Sequence, residues 1–252
     1  MAANVETMFY VRQKPWHGLG TEVKKAPTSK DALIYAGLNW VVLQKDVYSE
    51  DGSLIPGCKV NIRNTDKTSL GIVSDKYKVV QNQDAFQFTD DLLGEGVTYE
   101  TAGALQGGRK VWILARMPQR YIISGDEIAP YMVVMNSHDG SSGIKVAMTP
   151  IRVVCQNTLN LALNSAKRVW TTKHTENVMN RVHEAKETLF LAERYMGELG
   201  KDEIMYHKET YFKSADLDIF KDDNYPINYS DFIRLLKVFN ITYPRDKIGR
   251  AS

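Results

Sequence analysis

The sequence predicts an α+β fold: a mainly antiparallel sheet with packed helices, ordered as strands, then a helix, then a longer helix. Three observations point there. Lys110 to Met117 alternates, with Val111, Ile113, Ala115 and Met117 on one side of a strand and Lys110, Trp112, Leu114 and Arg116 on the other. Tyr131 to Asn136 and Ile144 to Thr149 are further strand-like runs, and residues 136–143 (Asn-Ser-His-Asp-Gly-Ser-Ser-Gly) read as the hairpin connection between them. A helical period then takes over from Arg152 to Asn164. Cys155, Leu159, Ala162 and Leu163 mark its buried stripe, while Gln156, Asn160 and Asn164 line a polar face.

The remaining elements follow from local signals. Residues 1–28 read as irregular, punctuated by Pro15, Gly18, Gly20 and Pro27. Ser29 can cap a short helix from Lys30 to Ala36, stopped by Gly37. Strands are expected at Trp40 to Tyr48, Cys58 to Arg63, Leu70 to Ser74 and Tyr77 to Val80, with Ser49 to Gly52 as a turn. Gln83 to Leu93 reads as a helix and Lys167 to His174 as a short strand. From Asn177 to Leu199, Val178, Val182, Ala185, Leu189, Ala192, Met196 and Leu199 recur at alternating four- and three-residue steps. That run predicts a long helix, laid on the core or joining subunits. One more helix is expected at Ser230 to Phe239. A main domain over 1–200 and an acidic, aromatic C-terminal extension over 201–252 are the expected divisions. The run from Pro244 to Ser252 reads as a loop, which leads to the expectation that the natural chain continues.

Several function classes find no support. The chain has 252 residues and a net charge of +2. Its N-terminus lacks an apolar signal-peptide run, and no segment approaches the roughly 18 apolar residues of a membrane span. Cys58 and Cys155 are isolated thiols, which suits a reducing cytoplasm. His17, His138, His174, His183 and His207 show no compact ligand spacing, so no metal is expected. There is no Gly-x-Ser-x-Gly elbow, and Cys155 belongs to the apolar stripe. Ser141 and Ser142 beside His138 and Asp139 read as a turn, because neighbours in a tight turn rarely reach triad geometry. The glycines over 102–108 lack a following Lys-Ser/Thr and precede a strand, against a nucleotide loop. The expectation is a protein without catalytic centre or cofactor.

Charge is unevenly distributed. Between Leu105 and Thr175 lie nine basic residues and only three acidic ones, while the rest of the chain is net acidic. Arg109, Lys110, Arg116, Lys145, Arg152, Lys167, Arg168 and Lys173 are candidate phosphate ligands. Trp112 sits between cations on its strand, and Trp170 alternates with Arg168 in the same sense. Cations for phosphates and flat rings for bases are what single-stranded nucleic acid requires. Gln156, Asn157, Asn160 and Asn164 would add uncharged hydrogen bonds from the helix. A half-buried Trp between long cations can equally be plain packing.

Residues 15–20 (Pro-Trp-His-Gly-Leu-Gly), residues 136–142 and the Arg152-x-x-Cys155-x-Asn157-Thr158-Leu159 run together resemble the phage/plasmid-like protein family, from about Trp16 onward. More loosely, strands followed by a polar-faced helix are similar to phage single-strand annealing proteins of the Red-beta and ERF kind. That resemblance implies binding of single-stranded DNA along a basic groove, a homo-oligomer, and action in recombination or replication inside a bacterial host. A second reading is an accessory factor that binds a host protein through the C-terminal aromatics Tyr211, Phe212, Phe220 and Tyr225.

Overall fold

A computed structural model describes residues 4–24, 28–93, 98–117, 121–123, 126–128, 130–166, 168–174, 178–181 and 183–189. The chain divides into two compact units, one of residues 3–119 and 129–192, the other of residues 120–128 and 193–252. In the second unit the described residues are those of one antiparallel hairpin, β8 (Tyr121–Ile123) with β9 (Asp126–Ile128). The first unit holds the large sheet and its helices.

Its centre is a seven-stranded sheet. The strands are β1 (Val5–Val11), β2 (Thr21–Val23), β6 (Thr98–Leu105), β7 (Lys110–Arg116), β10 (Tyr131–Ser137), β11 (Ile144–Thr149) and β12 (Val169–Thr172), in the spatial order β12-β11-β10-β7-β6-β1-β2. All neighbours are antiparallel except β1 with β2. A second, three-stranded antiparallel sheet joins β3 (Val42–Tyr48), β4 (Leu54–Arg63) and β5 (Ser69–Ser74).

Alternation along the strands divides the core in two. Phe9, Ala102, Val111, Ile113, Met132, Val134, Val146 and Trp170 face one side. There they meet α1 (Ser29–Tyr35), α2 (Asn82–Leu93) and Leu70 of the small sheet. Met8, Tyr10, Leu105, Trp112, Leu114, Val133, Met135 and Ala147 face the other side, covered by residues 151–155 and α3 (Gln156–Ser165). The helix α1 is capped by Thr28, whose Oγ1 accepts from Asp31 N, one residue before the expected cap.

Several expectations are corrected. The N-terminal segment contains β1, a strand paired on both sides, where an irregular segment was expected. The strand β6 was not anticipated either, because Ala102-Gly103-Ala104 has little strand propensity. Gly103 is there for space: a Cβ would stand 2.2 Å from Thr7 O and 2.5 Å from the Trp112 ring. Tyr77 to Val80 is not a strand. Its groups are spent on other elements, with Tyr77 Oη donating to Ser137 O and Lys78 N to His174 O. The helix expected from Arg152 begins at Gln156. Val153 O is taken by Thr101 Oγ1, and Thr158 Oγ1 accepts from Cys155 N at the helix start. The long helix over 177–199 is not shown: Val178–Arg181 is a 3-10 turn, residues 183–189 are helical, and 190–199 fall outside the described residues, as does the helix expected at 230–239. Among the described residues no helix is long and apolar enough to cross a membrane.

Candidate nucleic-acid interface

The strand register sorts the predicted cations by position. Lys110 pairs with Ser137, Lys145 with Thr171 and Met135, and Lys173 follows Thr172, which pairs with Ile144. Lys110, Lys145 and Lys173 therefore lie on the α3 side of the large sheet, at the end carrying the β10–β11 loop. Arg109, in the β6–β7 turn, is at the same end and exposed, as is Lys173; Lys110 and Lys145 are half-buried. Across β12 to β7 these positions span three strand spacings, about 15 Å. Arg116 pairs with Tyr131 at the opposite end, six residues or about 20 Å away along β7. Arg168 also lies toward that far end, beside the Val169–Ala147 pair, and is exposed. Lys167 lies outside the described residues.

The polar face of α3 is partly committed. Gln156 is buried, accepts from Gln106 Nε2 and donates to Asn160 Oδ1. Asn160 and Asn164 are exposed and Asn157 is half-buried. The chain Gln106–Gln156–Asn160 ties the helix start to the β6–β7 turn, at the end that holds Arg109 and Lys110.

Both expected stacking rings are corrected. Trp112 is 0% exposed, and its Nε1 donates to Thr101 Oγ1. Trp170 is 4% exposed and stacks on Phe88 of α2. The two indoles lie in opposite halves of the core, so neither can meet a base and together they cannot form a track. The alternation that put Trp112 beside cations was real, but the face it marked is roofed by α3 and residues 151–155. Arg152 is also reassigned. Its Nε donates to Glu100 at 2.7 Å and its Nη2 to the carbonyls of Val11 and Gln13, so it anchors three segments.

The β10–β11 loop gathers a polar cluster on the other side of the sheet. Asn136, His138, Asn61 and Asn82 are each at most 1% exposed. Asn82 Nδ2 donates to Leu38 O, so its Oδ1 faces His138 Nε2 at 2.9 Å as an acceptor. His138 must then carry its proton on Nε2, and Nδ1 is left as a buried lone pair. Burial, reinforced by the nearby His174, pushes His138 down to about 3. Burial lowers His174, stacked on Tyr77, to about 4. Asp139 turns away to accept from Ser137 Oγ and Ser141 N. Those bonds, with Lys110 nearby, outweigh the effect of burial and hold it below the usual carboxylate range. Turn chemistry thus accounts for the Ser-His-Asp group, as expected. Among the described residues no three ligand side chains cluster to hold a metal.

At the far end of the sheet a different cluster faces out. Glu100 is 3% exposed and takes both Arg152 and Arg12, the latter at 2.6 Å. Two guanidiniums thus share one carboxylate. The Pro15–Gly20 segment packs beside them. His17 accepts from Leu19 N through Nδ1, which leaves Nε2 as the donor to Val154 O. Trp16, edge-on to His17, is exposed. In the sequence Trp16 stands out only as part of the 15–20 motif and not as a stacking ring, because it lies outside the basic window.

Sheet and helices define an α+β protein whose large, mostly antiparallel sheet carries cations at both ends. A family model described as a domain of unknown function (DUF932) matches residues 69–219, more than half of the chain, and the chain belongs to that family. No curated protein and no solved structure matches it.

Proposed function

We propose that the protein binds single-stranded nucleic acid without catalysing a reaction, using the cations at the β10–β11 end of the α3 side. The observation that carries this reading is the grouping of Lys110, Lys145 and Lys173 on one side and at one end of the sheet, with Arg109 in the adjoining turn. Asn160 and Asn164 on the exposed side of α3 offer uncharged hydrogen bonds. The setting we propose is a phage or plasmid protein acting as an oligomer in the bacterial cytoplasm, in strand annealing during recombination or replication; its support is the motif resemblance. A salt titration of oligonucleotide binding tests the reading. Each phosphate neutralised contributes about 0.7 to the slope of log affinity against log salt for single strands. The Lys110→Gln/Lys145→Gln/Lys173→Gln protein should lose roughly 2 from that slope. A slope unchanged by the triple substitution, or no binding at low salt, rejects the proposal.

A second reading, a host-protein partner, is favoured by one feature. On the outer side of the three-stranded sheet Leu43 stands opposite Ile62, and Val60 opposite Ile72, which is 64% exposed. Leu43 and Ile72 are exposed and Val60 and Ile62 half-buried, and an apolar patch of this kind suits a protein contact. The C-terminal aromatics assigned to this role lie outside the described residues. Association that persists after nuclease treatment and is lost in Ile72→Asp would support this reading; association removed by nuclease would count against it.

A further inference from the structure

With Trp112 and Trp170 sealed in the core, neither indole can stack on a base. The molecule has an exposed indole elsewhere. Of its four tryptophans, Trp40, Trp112 and Trp170 are at most 6% exposed, while Trp16 is 42% exposed. Ten large apolar side chains are exposed among the described residues, and Trp16 is the one indole of that set, a flat ring with a polar handle.

The ring is also held. Gly18 N donates to Pro15 O, closing a turn with Trp16 and His17 at its centre. The His17 ring lies 5.3 Å from the indole at 72°, and both of its nitrogens are engaged, one within the turn and one on Val154 O ahead of α3. Gly20 at φ +103 closes the segment against Met8, where a Cβ would stand 2.6 Å from the Met8 side chain. These contacts hold the turn that carries the indole, whose edge meets His17, so less loop entropy remains to be lost when a ligand arrives.

Charge lies beside it. Arg12, held at φ +70, gives Nη2 to Glu100 and remains 47% exposed at its side chain. Arg152 occupies the other Glu100 oxygen, so the shared carboxylate leaves one positive charge over. Lys14 is exposed, and its stem runs past Gly18. The Pro15–Gly20 segment covers Met8 and Tyr10, which belong to the α3 side of the sheet, the side of Lys110 and Lys145.

We propose that Trp16 is a base-stacking platform for a single-stranded polynucleotide, with Arg12 and Lys14 meeting the adjoining phosphates. This rests on the nucleic-acid reading above and adds a second contact region to it. Stacking on an aromatic ring tolerates any base and requires an unpaired strand, so duplex is excluded as the preferred ligand.

The test uses the full chain with short oligothymidylate, oligouridylate, an abasic deoxyribose-phosphate strand of equal length, and heparin. Oligothymidylate should quench the solvent-exposed part of the tryptophan emission. Trp16→Ala should weaken oligothymidylate roughly 5- to 150-fold and leave heparin and the abasic strand unchanged, while Trp16→Phe keeps most of the affinity. The relative affinity for oligothymidylate and oligouridylate tells DNA from RNA. An unchanged thermal midpoint shows that Trp16→Ala is folded. Binding of oligothymidylate with no quenching and no loss in Trp16→Ala overturns the Trp16 proposal alone. Absence of binding by the wild-type chain at low salt overturns the nucleic-acid reading and this proposal with it.

Discussion

Two polar clusters sit at opposite ends of the same sheet and handle charge in opposite ways. Beneath the β10–β11 loop, on the side of the sheet away from Lys110 and with Asp139 turned away, the buried amides and His138 form a neutral set: Asn61 Nδ2 donates to His138 O, Asn136 Nδ2 to Val80 O, and Asn82 bridges Leu38 to His138. Around Glu100 the groups are ionised, and one side is open to solvent through Arg12. The first arrangement locks the loop to α2 and the small sheet. The second holds three chain segments together while leaving cations beside an exposed ring. A buried neutral network serves uniqueness of the fold, because any displacement strands its donors. A half-open ion cluster can do the same and still meet a ligand.

The sharpest test of this contrast compares indoles. Trp112→Ala should cost about 3–5 kcal/mol in urea unfolding, because the ring fills the core over Gly103. The same change at Trp16 should stay within about 0.5 kcal/mol. Equal costs would show that Trp16 belongs to the core.

Next in size is Arg152→Met. It removes the more deeply placed partner of Glu100 and the donor to two carbonyls, and should cost about 3–4 kcal/mol. Arg12→Met leaves Glu100 paired with Arg152 and should cost about 1 kcal/mol. If the order is reversed, Arg12 is the structural member of the pair.

The histidine cluster is probed by acid. His138 and His174 are held at about 3 and about 4 in the folded chain, below the ordinary 6.5. The unfolded chain therefore takes up protons first. The folded state keeps its full stability above about pH 6.5 and loses it as pH falls toward 4, by about 3 kcal/mol for each imidazole at pH 4. His174→Gln should flatten the pH 6.5–4 slope of unfolding free energy by about half. A slope untouched by that substitution would mean that other groups set the acid limit.

Much of this molecule was legible beforehand, and the failures have identifiable causes. The alternation at 110–117 correctly assigned both faces of β7, and Cys155, Leu159 and Ala162 are buried as their spacing required. The same alternation misplaced function. A strand pattern tells which residues share a face, but not whether that face is covered. Here residues 151–155 and α3 fold back over the Trp112 side, and α2 over the Trp170 side. Trp16, with Arg12 and Lys14 close by in the sequence, lies outside the basic window, and its exposure is decided by packing that no local pattern shows.

The amino-acid order alone determined the class of fold, most element positions, the turn over 136–143 and the clustering of positive charge along the chain, because these depend on neighbours a few residues away. Which tryptophan faces solvent, which arginine is an anchor and which histidine loses its proton were decided by tertiary packing. Burial and pairing are properties of segments brought together from far apart, and no local pattern encodes what will cover a given face.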